Sequence, residues 1–146
     1  MKQSDAIQII AKAFKGKTDR GGDQYINHLF RVAATVSKLG NERLVIPALL
    51  HDLLEDCPEW DPEKLLAAGL SKEDLDLIIL LTRYKGLTYE GYINAISTNK
   101  DATIIKLADL RDNMDITRLT RLSQKDFERL QKYHMSYQFL KSKLNA

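Results

Sequence analysis

The most informative stretch of this chain is Ala-Leu-Leu-His-Asp-Leu-Leu-Glu-Asp, residues 48–56. An α-helix turns about 100° per residue, so residues four positions apart lie on the same face. His51 therefore stacks with Glu55, and Asp52 stacks with Asp56, within one polar arc. The leucines fill the opposite arc, and the preceding turn is apolar on all sides, which is typical of a buried helix. The stretch predicts a buried helix that presents an imidazole and several carboxylates on one side.

Carboxylates on a mostly buried face need a compensating charge. Desolvating one unpaired carboxylate costs several kcal/mol, and like charges one helical turn apart repel each other. A divalent cation would compensate, because it neutralises carboxylates and binds a nitrogen of His51. The alternative is a solvated acidic helix end, with Glu55 and Asp56 on the surface before Pro58. Acids at a helix C-terminus oppose the helix dipole, so helix stability does not explain them. Both interpretations stay open on helix geometry alone.

Two residues elsewhere in the chain are candidate partners of this arc. His28 flanks the apolar stripe of a predicted helix, a position that by itself is more typical of a core histidine. Asp109 ends the segment Thr-Ile-Ile-Lys-Leu-Ala-Asp, so we expect it to be buried and to need a partner. A salt bridge to an arginine such as Arg111 is the alternative. A mononuclear site for a divalent ion such as Mn²⁺, Fe²⁺ or Zn²⁺ would combine nitrogen and oxygen donors from His28, His51, Asp52 and Asp109.

The rest of the chain consists of helical patterns with short polar breaks, and strand patterns are weak. We predict an all-α, single-domain bundle of about eight helices that comprises residues 1–146, the usual size of one domain. The predicted helices begin at capping residues and end at glycine, proline or polar positions. They span about residues 4–14, 24–39, 41–56, 61–69, 71–83, 88–97 and 101–121, and the last begins at Ser123.

The composition and charge of the chain limit the classes of partner that we expect. With 22 basic and 20 acidic residues the net charge is +2, which is too balanced for a nucleic-acid scaffold. No apolar stretch is long enough for a membrane span, and the first residues do not resemble a signal peptide. The single Cys57 cannot form an internal disulfide. We therefore expect a cytoplasmic protein with no nucleic-acid or membrane partner, and a homo-oligomer stays open.

Three motifs together resemble a known family. They are Tyr-Ile-Asn-His at 25–28, the stretch 48–56, and Lys-Leu-Ala-Asp at 106–109. The sequence is similar to the HD-domain phosphohydrolases, and within them to the hydrolase domain of the RelA/SpoT-type alarmone enzymes. The resemblance implies an HD-type helical bundle. It also implies one Mn²⁺ ion, held by His28, His51, Asp52 and Asp109.

The same resemblance implies the reaction and further site residues. The alarmone hydrolases remove the 3′-pyrophosphate of guanosine tetra- or pentaphosphate, so the expected activity is a metal-dependent phosphohydrolase that acts on a nucleotide. Glu55 and Asp56 are expected to act on the attacking water as catalytic residues. The residues expected to bind the substrate are Arg20, Tyr25, Lys106 and Asn113.

Departures from the alarmone pattern concern the substrate and leave the expected metal ligands unchanged. Leu29 stands where those hydrolases usually have proline, Arg111 lies one place late after Lys-Leu-Ala-Asp, and the segment 81–93 differs after its first residues. Two alternatives therefore stay open. One is an HD nucleotidase that acts on nucleoside monophosphates, and the other is a non-catalytic nucleotide-binding sensor. The presence of both Glu55 and Asp56 argues against the sensor.

Overall fold

The computed structural model describes residues 1–146 and contains helices but no strand, so the predicted all-α class is confirmed. The α-helices are α1 Gln3–Ala13, α2 Tyr25–Lys38, α3 Val45–Leu50, α4 Leu53–Asp56, α5 Pro62–Ala67, α6 Lys72–Leu80, α7 Tyr89–Ser97, α8 Lys100–Asn113 and α9 Gln124–Leu144. Two short 3₁₀ helices, Glu42–Leu44 and Ile116–Arg118, join them. No helix combines the length and the apolarity needed to cross a bilayer.

Several helix starts follow the predicted capping chemistry. A side-chain oxygen accepts a backbone N–H from the first turn at Asp61, Ser71, Thr88 and Ser123. Two predicted starts are wrong. Ser4 lies inside α1, because the Asp5 carboxylate already accepts the backbone N–H of Lys2. Asp101 lies inside α8, because Asn99 caps that helix while Asp101 forms an ion pair with Arg43.

Two predicted helices are too long. The helix predicted to reach residue 83 ends at Leu80, and the backbone N–H of Arg83 then binds Glu55 Oε1 at 2.7 Å. The helix predicted to reach residue 121 ends at Asn113. There the Asp115 side chain accepts the backbone N–H of Thr117 and starts the second 3₁₀ helix. In both cases a polar contact replaces the next helical hydrogen bond. The contact is long-range after α6 and local after α8.

The predicted helix 41–56 is interrupted, which corrects the expected single polar arc. A 3₁₀ helix precedes α3, Asn41 makes no side-chain capping bond, and the chain between α3 and α4 forms a turn at His51 and Asp52. The His51 Nδ1 lies 2.6 Å from the carbonyl oxygen of Ala48. This is the carbonyl that a regular helix offers to the N–H four residues later, so the imidazole competes with the helical ladder.

The core lies where α2, α3 and α8 meet. Helix α3 packs against α1 and α2, α2 packs against α8, and α8 packs against α9. Fully buried apolar side chains fill the space between these helices, among them Ile10, Leu29, Leu49, Leu50, Leu53, Ile105 and Leu110. Because His28, His51 and Asp109 belong to or directly follow these central helices, close packing of the core fixes their positions.

A pair of leucine substitutions tests the described core. Leu50 is fully buried next to His51, and Leu50→Ala should lower the free energy of unfolding by about 2–5 kcal/mol, because it removes buried methyl groups and leaves a cavity. Urea denaturation measures the change. The matched control is Leu39→Ala, at a leucine that is 69% exposed and should change stability by less than about 0.5 kcal/mol. Equal losses for the two variants would contradict the described core.

Candidate metal centre and active site

Four side chains meet at the centre of the bundle. One donor atom from each of them lies within 4.8 Å of the other three, and they belong to His28, His51, Asp52 and Asp109. The Nε2 atom of His28 is 3.0 Å from Asp109 Oδ1, and that of His51 is 3.2 Å from Asp52 Oδ2. Donors that share an ion at about 2.0–2.2 Å each must approach one another this closely. The structure thus brings together the four residues that the sequence selected.

The outer nitrogen of each imidazole already has a partner. Nδ1 of His51 lies 2.6 Å from the carbonyl oxygen of Ala48, and Nδ1 of His28 lies 2.6 Å from Asp112 Oδ2. Both partners are acceptors, so both Nδ1 atoms donate, and in the neutral imidazole each Nε2 atom has a lone pair. The Nε2 atom of His28 is buried and lacks a hydrogen bond of adequate alignment, although Asp109 Oδ1 is near. Nε2 atoms that face carboxylate oxygens are stabilised by positive charge between them, from a proton or a metal ion, and this donor set fits a divalent metal ion.

The pKa shifts of the clustered residues also favour a positive charge at the centre. Burial disfavours the charged imidazole of His28, but its contacts with Asp109 and Asp112 outweigh burial and raise the pKa of His28 to about 9. Burial also opposes ionisation of Asp109, yet Lys106 and the two histidines hold the pKa of that carboxyl well below its usual range. The centre therefore stabilises positive charge between its carboxylates.

Asp109 is buried, as predicted, and has several partners. Lys106 Nζ lies 2.7 Å from its Oδ2, and Asn113 Nδ2 donates to its Oδ1 at 3.1 Å. The alternative salt bridge to Arg111 is wrong, since Arg111 is exposed and lies on another face of α8. Lys106 and Asn113, which were predicted to bind substrate, thus hold Asp109 and also line the adjoining cavity.

Tyr25 connects the metal centre to the cavity. Its hydroxyl donates to Asp52 Oδ2 at 2.6 Å, and its ring stacks on Phe14 with the centroids 5.3 Å apart. The hydrogen bond orients the Asp52 carboxylate, while the stacking fixes the tyrosine ring. Tyr25 lines the cavity as well, where the sequence predicted a substrate contact.

Glu55 and Asp56, on α4, lie beside the cluster and line the same cavity. Burial raises the pKa of Glu55, and the backbone N–H of Arg83 holds its Oε1. Burial, Asp52 and Glu55 raise the pKa of Asp56 to about 6. A carboxylate whose pKa approaches neutrality is suited to accept a proton from water. The geometry therefore permits either residue to act as a base.

The cavity has a volume of about 520 Å³, and its far wall is basic and aromatic. Arg20, in the loop before α2, lines it as predicted. Sequence reasoning missed the contribution of α9, which provides Arg129, Lys132 and Tyr133. The spacing of these three residues, which places them on one helical face, is the signal that could have revealed them. Sequence reasoning also missed Asp112, although its position three residues after Asp109 was an available signal.

Comparison with known proteins gives a family match. The family model described as HD domain matches residues 6–106. A probable GTP pyrophosphokinase of Mycobacterium leprae is 30% identical over 75% of this chain and 15% of its own length. A guanosine-3′,5′-bis(diphosphate) 3′-pyrophosphohydrolase of Haemophilus influenzae is 31% identical over 73% of this chain and 17% of its own length. The bifunctional (p)ppGpp synthase/hydrolase SpoT of Escherichia coli is 32% identical over 75% of this chain and 17% of its own length.

This chain spans about a sixth of the length of these curated relatives. A solved structure extends the comparison to the whole fold. It belongs to a metazoan orthologue of SpoT, which is described as hydrolysing ppGpp. The TM-score is 0.76 at 21% sequence identity, and the match covers 98% of this chain and 91% of the other. The two proteins therefore share the same helical fold.

The described centre predicts which side chains bind a metal. Asp52→Ala and Asp109→Ala should each abolish Mn²⁺ binding, because each removes a charged donor from a four-donor site. Elemental analysis after loading with Mn²⁺ and desalting measures the bound metal. Asp101→Ala is the matched control, since it removes an aspartate from α8 that pairs with Arg43 away from the centre. A folded Asp52→Ala protein that still binds one equivalent of Mn²⁺ would show that the site lies elsewhere.

Proposed function

Because this chain belongs to the HD-domain family of metal-dependent phosphohydrolases, we propose that it acts on a nucleotide and removes the 3′-pyrophosphate of guanosine tetra- or pentaphosphate. One observation carries the proposal. A single cavity reaches the donor cluster at Asp52 and Asp109, and two carboxylates of raised pKa and a wall of cations line it as well. These are the three parts that hydrolysis of an anionic phosphate ester requires.

The four clustered residues would hold one divalent ion, for which we propose Mn²⁺. Two imidazole nitrogens and two carboxylate oxygens form a donor set intermediate between hard and soft, which suits this ion. When bound, the ion would lower the pKa of a water molecule and polarise the phosphoryl oxygens. Tyr25 keeps the Asp52 carboxylate oriented toward the centre, and Lys106 keeps Asp109 ionised.

Glu55 or Asp56 accepts the proton of the attacking water in the proposed reaction. Both carboxylates line the cavity near the centre, and neither forms a salt bridge with a basic side chain. Glu55 is oriented by the backbone N–H of Arg83, which binds one of its oxygens and leaves the other available. Because this anchor fixes the position of the carboxylate, we assign the base to Glu55 for the purpose of testing.

The far wall supports a substrate with more than one phosphate group. Arg118 and Arg129 of this wall are paired with aspartates, but Arg20, Arg83 and Lys132 form no ion pair. Arg83 and Lys132 both contact the ring of Tyr89, at 5.7 and 4.5 Å from its centroid. Burial and the neighbouring cations Arg83 and Arg20 lower the pKa of Lys132. Such clustered cations attract an anion, so the wall favours the 5′-diphosphate of guanosine tetraphosphate over a nucleoside monophosphate.

The proposed reaction is tested by turnover. With Mn²⁺, the protein should release pyrophosphate from guanosine tetraphosphate faster than it releases phosphate from any nucleoside monophosphate. Glu55→Gln should retain the metal but lose about 10²–10⁴-fold in kcat, the usual contribution of a general base. Glu63→Gln, at an exposed glutamate on α5, is the matched control.

Two outcomes would contradict parts of this proposal separately. Turnover of monophosphates alone would refute the substrate and support a nucleotidase. Normal turnover by Glu55→Gln would refute the role of Glu55, and the same measurement on Asp56→Asn would then test the remaining carboxylate.

The cationic wall is tested through the dependence of rate on substrate concentration. Lys132→Ala should raise KM for guanosine tetraphosphate by about tenfold or more, because a hydrogen bond to a charged group contributes about 1.5–3 kcal/mol. The value of kcat should change less, since the residue lies away from the carboxylates. Lys125→Ala is the control, at an exposed lysine of α9 outside the cavity. An unchanged KM for Lys132→Ala would remove this residue from the substrate site.

A further inference from the structure

Asp112 is the one carboxylate that touches a candidate metal ligand from outside the donor cluster. Its Oδ2 lies 2.6 Å from Nδ1 of His28, on the side of the imidazole opposite Asp109. The Asp112 side chain is only 11% exposed. It does not line the cavity that contains the proposed reaction. Neither substrate contact nor solvation therefore explains why an acid occupies this position.

The contact decides which nitrogen of His28 carries the hydrogen. An ionised carboxylate accepts hydrogen bonds and cannot donate, so Nδ1 must hold a hydrogen when it meets Asp112. The neutral ring then presents a lone pair on Nε2, which is the atom that lies 3.0 Å from Asp109 Oδ1 and has no aligned hydrogen bond. A ring in the other tautomer would turn an N–H toward the position of the ion and could not bind it.

Two arginines hold Asp112 in place, Arg31 through the carboxylate and Arg118 through the backbone. Arg31 Nε donates to Oδ1 at 2.8 Å, and Arg31 Nη2 is 3.2 Å from Oδ2. Arg118 donates to the backbone carbonyl oxygen of Asp112 at 2.9 Å. The carboxylate is thus fixed in one orientation by its contacts with Arg31 and His28.

We propose that Asp112 is a positioning residue that fixes the orientation and tautomer of His28, so that Nε2 is ready to bind the metal ion. The inference rests on the proposed metal site but not on the proposed substrate. Carboxylates that orient a ligating histidine in this way raise its basicity, and their removal weakens metal binding about 10–100-fold. Arg31 acts one step further out, since it holds the carboxylate and does not touch the imidazole.

The test measures Mn²⁺ affinity of the metal-free protein by calorimetric titration, without any nucleotide. Asp112→Ala should bind Mn²⁺ about 10–100-fold more weakly than the wild type. Asp112→Asn should lose less, because its amide oxygen still accepts a hydrogen bond from Nδ1 of His28. Asp101→Ala is the matched control, since it also removes an aspartate–arginine pair from α8 but has no contact with a histidine. Its affinity should equal that of the wild type.

Thermal unfolding of the metal-free variants separates positioning from general stability. Asp112→Ala and Asp101→Ala should both unfold at a lower temperature, whereas only Asp112→Ala should lose affinity. Equal Mn²⁺ affinity of folded Asp112→Ala and wild type would overturn the inference. If Asp112→Ala does not fold, Asp112→Leu takes its place, because leucine has a similar size but cannot accept a hydrogen bond, and unchanged affinity of that variant overturns the inference instead. Because no nucleotide is present, failure to hydrolyse guanosine tetraphosphate would leave this result unaffected.

Discussion

The balance of charge at the centre of the bundle is the constraint on which this structure depends. Asp109 is 4% exposed, and a carboxylate so buried is costly unless it is neutralised. Lys106 and Asn113 supply part of the compensation from the same helix, and the two imidazoles approach from other elements. The nitrogen and oxygen donors that face one another there form a set that one divalent cation would neutralise.

The polar contacts of this centre coincide with the places where the surrounding helices are interrupted or end. The chain turns at His51 and Asp52, between α3 and α4, and the His51 imidazole lies against the carbonyl oxygen of Ala48, so both donors reach the same centre. Helix α8 ends at Asn113, and the segment after it folds back so that Arg118 reaches Asp112. Irregular backbone thus occurs beside the functional centre, where local hydrogen-bond rules yield to the geometry that the polar groups require.

The cavity lining combines two kinds of groups. Asp52 and Asp109 of the donor cluster and the two carboxylates of α4 are acidic, whereas the outer wall contributes cations from the loop before α2, the segment after α6, and α9. A substrate with separated anionic groups would place one group at the centre and another at the outer wall. The fold shared with the metazoan SpoT orthologue provides the frame, whereas the outer wall consists of side chains of this chain.

Local sequence determined the helical class and the capped starts at Asp61, Ser71, Thr88 and Ser123, and together with the family resemblance it predicted the donor residues. These features follow from periodicity, from side chains that bond their own backbone, and from the cost of burying an unpaired acid, all of which are readable over a few residues.

Tertiary structure alone decided the contact of Glu55 with the backbone of Arg83 after α6, the position of α9 beside the cavity and the contact between Asp112 and His28. Each of these depends on groups that are brought together by packing, and His28 and Asp112 are 84 residues apart in the chain. Local sequence patterns do not predict such contacts, because residues far apart in the chain meet only when the whole core packs.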